Sequence, residues 1–396
     1  MEILTIAIAI FSSLVALVLT PLVRGAARRT GFVDRPGERK IHSTDIAYGG
    51  GIAVAIAFTT ALFAAFYVQQ HFLNIPFEQD KVRIPVLIAI GAGALGALLL
   101  GLFDDKYRLS PAAKLAGQFV LAIAAVAGGV RITAFIGDGL VMQTVTVLWI
   151  VLITNSLNLL DNMDGLCSGT VAIAAAMLAL VALDTSNWTM TLIMAALCGA
   201  YLGFWRYNSS PASIFLGDAG SLFAGYVMAC STALVTYYRA SRPSHLAIGI
   251  PVLILAIPLY DTLSVIAIRL KERRPIMRGD TSHFSHRLVD LGMTRKQAVA
   301  TVHLACLAIG LPAVVLGQLS EERGLLIICQ GLLVLTIVAL LERAGRNRAA
   351  QPVFRSATAQ QKTPSPSNST DSPSPPDTHP PQQAVGSGTQ DGRNDY

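Results

Sequence analysis

Between Asn155 and Leu166 the chain reads NSLNLLDNMDGL, and Asn155, Asn158, Asp161 and Asp164 recur at every third position. On an α-helix, at about 100° per residue, Asn158, Asp161 and Asp164 would share a sector of about 120°; on a 3₁₀ turn they would align. Either way two carboxylates and an amide converge, the oxygen-rich kind of set that hard divalent cations take. Polar residues ending a helix would account for one or two of these, not four in register. A second acidic group is the adjacent pair Asp104 and Asp105. At a membrane face such a pair is costly unless it is solvated or holds a cation, and taken alone a solvated pair is the plainer reading. Ser110 and Pro111 then read as the cap and first residue of a helix, which puts Lys114 in a first turn where the helix dipole disfavours a cation. An anionic ligand such as a phosphate would compensate.

Two more groups follow. In FLGDAGS, Phe215 to Ser221, Asp218 either caps a helix or presents a carboxylate beside helix-start N–H groups, where a metal and a phosphate can meet. In RRPIMRGDTSHFSHRL, His283 and His286 stand three apart near Asp280 and Arg287. No cysteine or HExxH pattern joins them, which argues against zinc, whereas imidazoles with an arginine suit phosphate oxygens. The basic stretch DRPGERKIH leads to Gly49, Gly50 and Gly51, which read as close helix packing.

The elements that must position these groups are membrane helices. Of 396 residues, 53% are hydrophobic and only 14% charged, with mean hydropathy +0.55, too apolar for a soluble domain of this length. Apolar runs of bilayer-crossing length begin near Ile3, Gly50, Ile84, Ala112, Thr144, Gly169, Met190, Gly220, Leu246, Ala298 and Leu325. The sequence therefore predicts an all-α polytopic membrane protein of about 11 helices, the fourth, fifth and sixth being the weakest. The first run lacks a basic start and a cleavage site, so it reads as a retained helix and not a signal peptide. Residues 1–348 form the membrane domain; 349–396, rich in Pro, Ser, Thr and Gln, read as a disordered tail. The five cysteines show no metal-ligand spacing and read as small core residues.

A net charge of +6 could suggest nucleic acid, but the placement of the basic residues excludes that reading. With the N-terminus outside, loops facing the cytoplasm hold 21 Lys and Arg against 6 in the opposite loops, which is the positive-inside asymmetry. Every chemically interesting cluster falls on the cytoplasmic side. Transporters place charged sites near the bilayer midplane instead, so a transporter is the weaker alternative. Carboxylates for a cation, with cationic groups for phosphates, at this boundary fit a reaction joining a soluble phosphate compound to a lipid phosphate.

In order and spacing, DRPGERKIH, GLFDDKYRLSPAAKLAGQ, NSLNLLDNMDGL, FLGDAGS and the loop around His283 resemble the bacterial polyprenyl-phosphate N-acetylhexosamine-1-phosphate transferases. The resemblance covers roughly residues 1–345. It implies transfer of a sugar-1-phosphate, GlcNAc-1-phosphate being the expected one, from a UDP-sugar to undecaprenyl phosphate at the inner membrane. UMP is released and a surface polysaccharide begun. It further implies Mg2+, with Mn2+ as an alternative, held by Asp218 and Asn158. Asp104 and Asp105 lie near the metal and phosphates, and Asp161 and Asp164 serve the nucleotide-sugar site and catalysis. Lys114, His283, His286 and Arg287 are the expected phosphate contacts. Whether a homodimer acts is left open. The family run in the histidine loop is Asp, Arg, a variable residue, then His-x-His-His-Arg; here Thr281 and Ser285 replace the arginine and the middle histidine. These departures keep the reaction class and leave the donor sugar open. The transferase acting on UDP-N-acetylmuramoyl-pentapeptide, the runner-up, would show three consecutive histidines where this chain has HFSH. The charge asymmetry predicts that a cysteine at Ser367 is labelled only after the membrane is permeabilised; labelling in intact cells would overturn the orientation.

Overall fold

A backbone in lipid has no water to bond, so each crossing segment must satisfy its own N–H and C=O groups as a helix. The computed structural model follows that constraint; the residues described are 1–34, 45–72, 83–132, 139–235, 245–275 and 283–350. The helices are α1 (Glu2–Thr30), α2 (Gly50–His71), α3 (Ile84–Tyr107), α4 (Pro111–Ala127), α5 (Leu140–Leu160), α6 (Leu166–Asp184), α7 (Trp188–Asn208), α8 (Gly217–Leu234), α9 (Gly249–Ile254), α10 (Ala256–Lys271), α11 (Phe284–Asp290), α12 (Arg295–Ala313) and α13 (Glu321–Ala350). β1 (Val33–Asp34) and β2 (Ile46–Ala47) pair antiparallel. One compact unit spans Met1–Ala350; the expected tail beyond it, most of DRPGERKIH, and Asp280 with Thr281 lie outside the described residues.

All eleven apolar runs are helical, but eleven spans are not found. Among the described residues eight helices are long and apolar enough to cross a membrane, or nine if α9 and α10 form one broken span bent by 74°. The fourth run, α4, has 17 residues, short of the roughly 20 a crossing needs. The fifth and sixth, expected to be weak, qualify. The eighth, α8, does not, because it opens with Gly, Asp, Ala, Gly and Ser. It is buried along almost its whole length, so protein and not lipid surrounds it and high apolarity is not required. The ninth breaks at Leu255, where Pro258 has no N–H to give the Ile254 carbonyl four residues back. The cysteines lie in helices, Cys167, Cys230 and Cys306 buried as expected, Cys198 half-buried and Cys329 exposed.

The most extensive packing joins α1 to α7, α6 to α7, and α8 to both α3 and α5. α6 and α7 are central, with 78% of their apolar windows buried; α13 is peripheral, with 11%. Around the start of α8 the backbones come into contact. A Cβ on Gly101 of α3 would lie 2.3 Å from the Ala219 nitrogen, and one on Gly51 of α2 would lie 2.4 Å from the Gly220 nitrogen. The N–H groups of Gly50 and Gly51 donate to the carbonyls of Phe215 and Leu216, both at 3.0 Å, and Phe215 N–H donates to Ala47 at 2.9 Å. The glycine run before α2 thus serves close packing and also accommodates the segment that leads into α8.

Gly101→Ala must push α3 away from backbone that cannot yield, and overpacking of this kind costs about 1–3 kcal/mol. Gly91, on the same helix, has nothing within 4 Å of the added carbon. Melting of the detergent-solubilised protein should fall by several degrees for Gly101→Ala and stay level or rise for Gly91→Ala.

Candidate active site

The site is organised around the N-terminus of α8, whose first N–H groups have no partner within the helix. A carboxylate from another helix supplies one: Asp105, in the last turn of α3, accepts from Asp218 N–H through Oδ1 at 2.8 Å and from Ala219 N–H through Oδ2 at 3.2 Å. Gly217 adopts φ +74°, and a Cβ there would lie 2.6 Å from Asp105 Oδ2, so glycine is required. Asp105 therefore has the capping role that the sequence reading left open for Asp218, which leaves the Asp218 side chain free to turn toward its neighbours.

Asp104 turns the other way. Its Oδ1 accepts from Leu109 N–H at 2.7 Å, closing the turn after α3, and its Oδ2 lies 2.8 Å from Lys114 Nζ. As expected, Ser110 caps α4, accepting from Ala113 N–H at 3.2 Å with Pro111 in the first turn. The cation in that turn is compensated by protein carboxylates: Lys114 Nζ also lies 2.9 Å from Asp218 Oδ1. Asn158 Nδ2 donates to the same Asp218 Oδ1 and to Ser221 Oγ, the latter at 2.8 Å. Asp104, Asp105, Lys114, Asn158 and Asp218 are thus brought into one network by four helices.

The three-residue register does not continue past Asn158 as an unbroken helix. α5 ends at Leu160, and Asp161 closes it with φ −78° and ψ 53°. The chain then turns through Gly165, at φ +75°, into α6. Asp161 consequently faces the α8 entrance, where Gly217 N–H donates to it, while Asp164 Oδ2 accepts from Ala212 N–H at 3.0 Å. Burial first, then the charges of Asp218, Asp105 and Asp164, raise the Asp161 carboxyl well above the usual range.

A cleft of about 950 Å³ opens over these groups, lined by Asp105, Asp161, Asp164 and Asp218 on its acidic side. Asp104, Lys114 and Asn158 are not among its lining residues and act on it through Asp218. The same cleft is lined by Arg295 and Lys296, both exposed, and His303, all on α12, with Trp205 of α7. The sequence reading missed this part of the lining; the only signal for it was two cations opening a helix capped by Thr294 and Gln297. Tyr48 also lines the cleft, and burial together with Asp34, Asp105 and Asp218 pushes its hydroxyl up, keeping it a neutral donor.

Of the expected phosphate contacts in the histidine loop, none is among the residues lining the cleft. His283 is buried with Nδ1 2.8 Å from Asp261 Oδ2; since a carboxylate only accepts, Nδ1 carries a proton and Nε2 is left for another partner. Asp261, which the sequence reading also missed, accepts from Phe284 N–H as well. His286 is half-buried, and burial with the nearby charges of His283 and Arg295 lowers its pKa, favouring the neutral ring. Arg287 is buried, its guanidinium donating to Ser264 at 2.8 Å and paired with Glu342 at 3.1 Å. Ser285, at the departure from the family run, donates to Asn162 at 2.6 Å and ties this loop to the Asp161–Asp164 turn.

Asp161 yields a prediction with a definite sign. Its pKa is raised on folding, so the folded state binds the extra proton between the unfolded carboxyl value of about 3.9 and the raised value. Stability is full below that window and is lost as pH rises through it. Asp161→Asn should therefore melt higher than the parent at pH 7, with the difference vanishing near pH 4 in thermal scans of the solubilised protein.

The model of glycosyl transferase family 4 matches residues 86–236, the segment that carries α3 through α8. The chain is 32% identical over 339 residues to a probable undecaprenyl-phosphate N-acetylglucosaminyl 1-phosphate transferase of Bacillus subtilis, covering 83% of this chain and 90% of the relative. It is 27% identical to an undecaprenyl-phosphate alpha-N-acetylglucosaminyl 1-phosphate transferase of Thermotoga maritima, over 70% of this chain and 79% of the relative. A phospho-N-acetylmuramoyl-pentapeptide-transferase of Halalkalibacterium halodurans is 30% identical over a shorter stretch, 56% of this chain and 71% of the relative. Sequence, membrane helices and the network at α8 agree, and the chain belongs to the polyprenyl-phosphate N-acetylhexosamine-1-phosphate transferases of glycosyl transferase family 4.

Proposed function

We propose that this multi-pass membrane protein transfers N-acetylglucosamine-1-phosphate from a UDP-sugar to undecaprenyl phosphate on the cytoplasmic face of the inner membrane. The observation that carries the reading is the acidic network at the α8 entrance opening into a cleft that Arg295 and Lys296 also line, in a chain similar along most of its length to transferases of that name. Among the described residues carboxylates outnumber cations on the acidic side: Asp105 and Asp161 stand beside Asp104 and Asp218, and the one ammonium there, Lys114, pairs with the latter two. A diphosphate cannot approach such a wall without added positive charge.

That imbalance and the oxygen-only donors fit Mg2+, although among the described residues no three acidic, histidine or cysteine side chains are preassembled as a metal site. Asp218 and Asp161 would hold the ion, with Asn158 turning its amide oxygen toward it. When bound it supplies charge neutralisation at the diphosphate. Lys114 meanwhile keeps Asp104 and Asp218 from repelling each other, and Asp105 keeps α8 in place. Arg295 and Lys296 suit the outer phosphate of the nucleotide. The acceptor phosphate attacks the sugar-bearing phosphorus; its oxygen–phosphorus bond forms as the bond to UMP breaks. With a second pKa near 6 the acceptor is largely dianionic at neutral pH, and no general base is required. Asp104, occupied by Leu109 N–H and Lys114, is not placed to be one.

Purified protein given undecaprenyl phosphate, Mg2+ and a panel of UDP-sugars should release UMP with UDP-N-acetylglucosamine. Release only with UDP-N-acetylmuramoyl-pentapeptide, or with no donor at all, would overturn the reading. Asp218→Asn keeps the acceptors for Lys114 and Asn158 but loses the charge, so UMP release should drop by at least about 100-fold with melting little changed.

A further inference from the structure

α11 has only seven residues, far too few to hold helical form alone, yet it and its N-cap carry His283 and His286. Its position depends on neighbours. Asp261 of α10 receives Phe284 N–H and His283 Nδ1, and Asn162 receives Ser285. On its far side, Arg287 reaches Ser264 of α10 and Glu342 of α13, and Glu342 also receives the Tyr260 hydroxyl at 3.0 Å. Glu342 is 3% and Arg287 6% exposed, a fully desolvated ion pair at the end of a helix that otherwise faces mostly outward. Apolar residues of similar volume would stabilise such a place as well or better, so a buried pair is weak evidence of a stabilising role. What the pair adds is direction, because the Ser264 hydrogen bond together with the Glu342 charge fixes where the guanidinium, and with it α11, must sit.

We propose that Glu342 is a positioning residue for the transfer reaction, acting through Arg287 to hold the His283–His286 helix in register with the cleft. The proposal rests on the transferase reading above. It also reassigns Arg287 from a phosphate contact to the link between α11 and the last helix.

Three measurements on the full chain test this: UMP release, melting, and amide hydrogen exchange across 284–291, for the parent, Glu342→Gln and the double variant Arg287→Met with Glu342→Met. Glu342→Gln should speed exchange across 284–291 and, by loosening the Ser285–Asn162 tie to the Asp161–Asp164 turn that lines the cleft, slow UMP release by about 100-fold, the cost a shift of about 1 Å at a reacting site can carry. The double variant should melt close to the parent, since apolar isosteres replace a buried pair without net loss, yet remain as slow as the single variant. A double variant with parental melting and parental turnover overturns the proposal and leaves the pair as packing only. So does unchanged exchange across 284–291 in Glu342→Gln, a readout that decides even if the double variant does not fold. If the parent itself releases no UMP, the transferase reading fails while the exchange experiment still decides whether Glu342 positions α11.

Discussion

The bond from the α8 N-terminus to Asp105 is the constraint on which the rest of the site depends. It crosses between helices, it needs the α3 and α8 backbones in contact at Gly101, and it needs a left-handed residue without a side chain at Gly217. Once it is made, Asp218 is relieved of capping and can face Lys114 and Asn158. A carboxylate at a helix start also answers the positive end of the dipole, so one interaction satisfies orphan N–H groups, fixes the spacing of two helices and aims a third residue at the cleft.

Charge is the second theme. Burial pushes the Asp161 carboxyl upward, and the neighbouring carboxylates of Asp218, Asp105 and Asp164, unfavourable to it in themselves, add to the shift. Among the described residues Lys114 settles the carboxylates of Asp104 and Asp218, and the cations that line the cleft itself, Arg295 and Lys296, come from α12.

The histidine segment obeys a different logic. It is a short helix fixed from three sides, by Asp261, by Asn162 and by Glu342. Ser285, where the family run has a histidine, lacks the imidazole but supplies a hydroxyl that bonds the Asp161–Asp164 turn, so the loop is tied to the acidic side.

The helices themselves were legible in the sequence, because lipid imposes a local rule: every apolar run became helical, and the polar clusters fell at helix ends. Ser110 could be read as a cap, and the glycines before α2 as contact points, for the same local reason. The count of eleven failed at particular runs for different reasons: α4 is short, α8 is surrounded by other helices and can be less apolar, and α10 is broken from α9 by Pro258. Periodicity overran the end of α5, since a spacing of three does not record the turn that Gly165 completes. What only the tertiary structure decided is which of the acidic residues does what. Asp105 rather than Asp218 caps α8, Lys114 answers carboxylates, Arg287 is claimed by Glu342 more than fifty residues away, and α12 supplies basic residues to the cleft. These are pairings between distant segments, set by how the helices pack, and no local pattern of residue types encodes them.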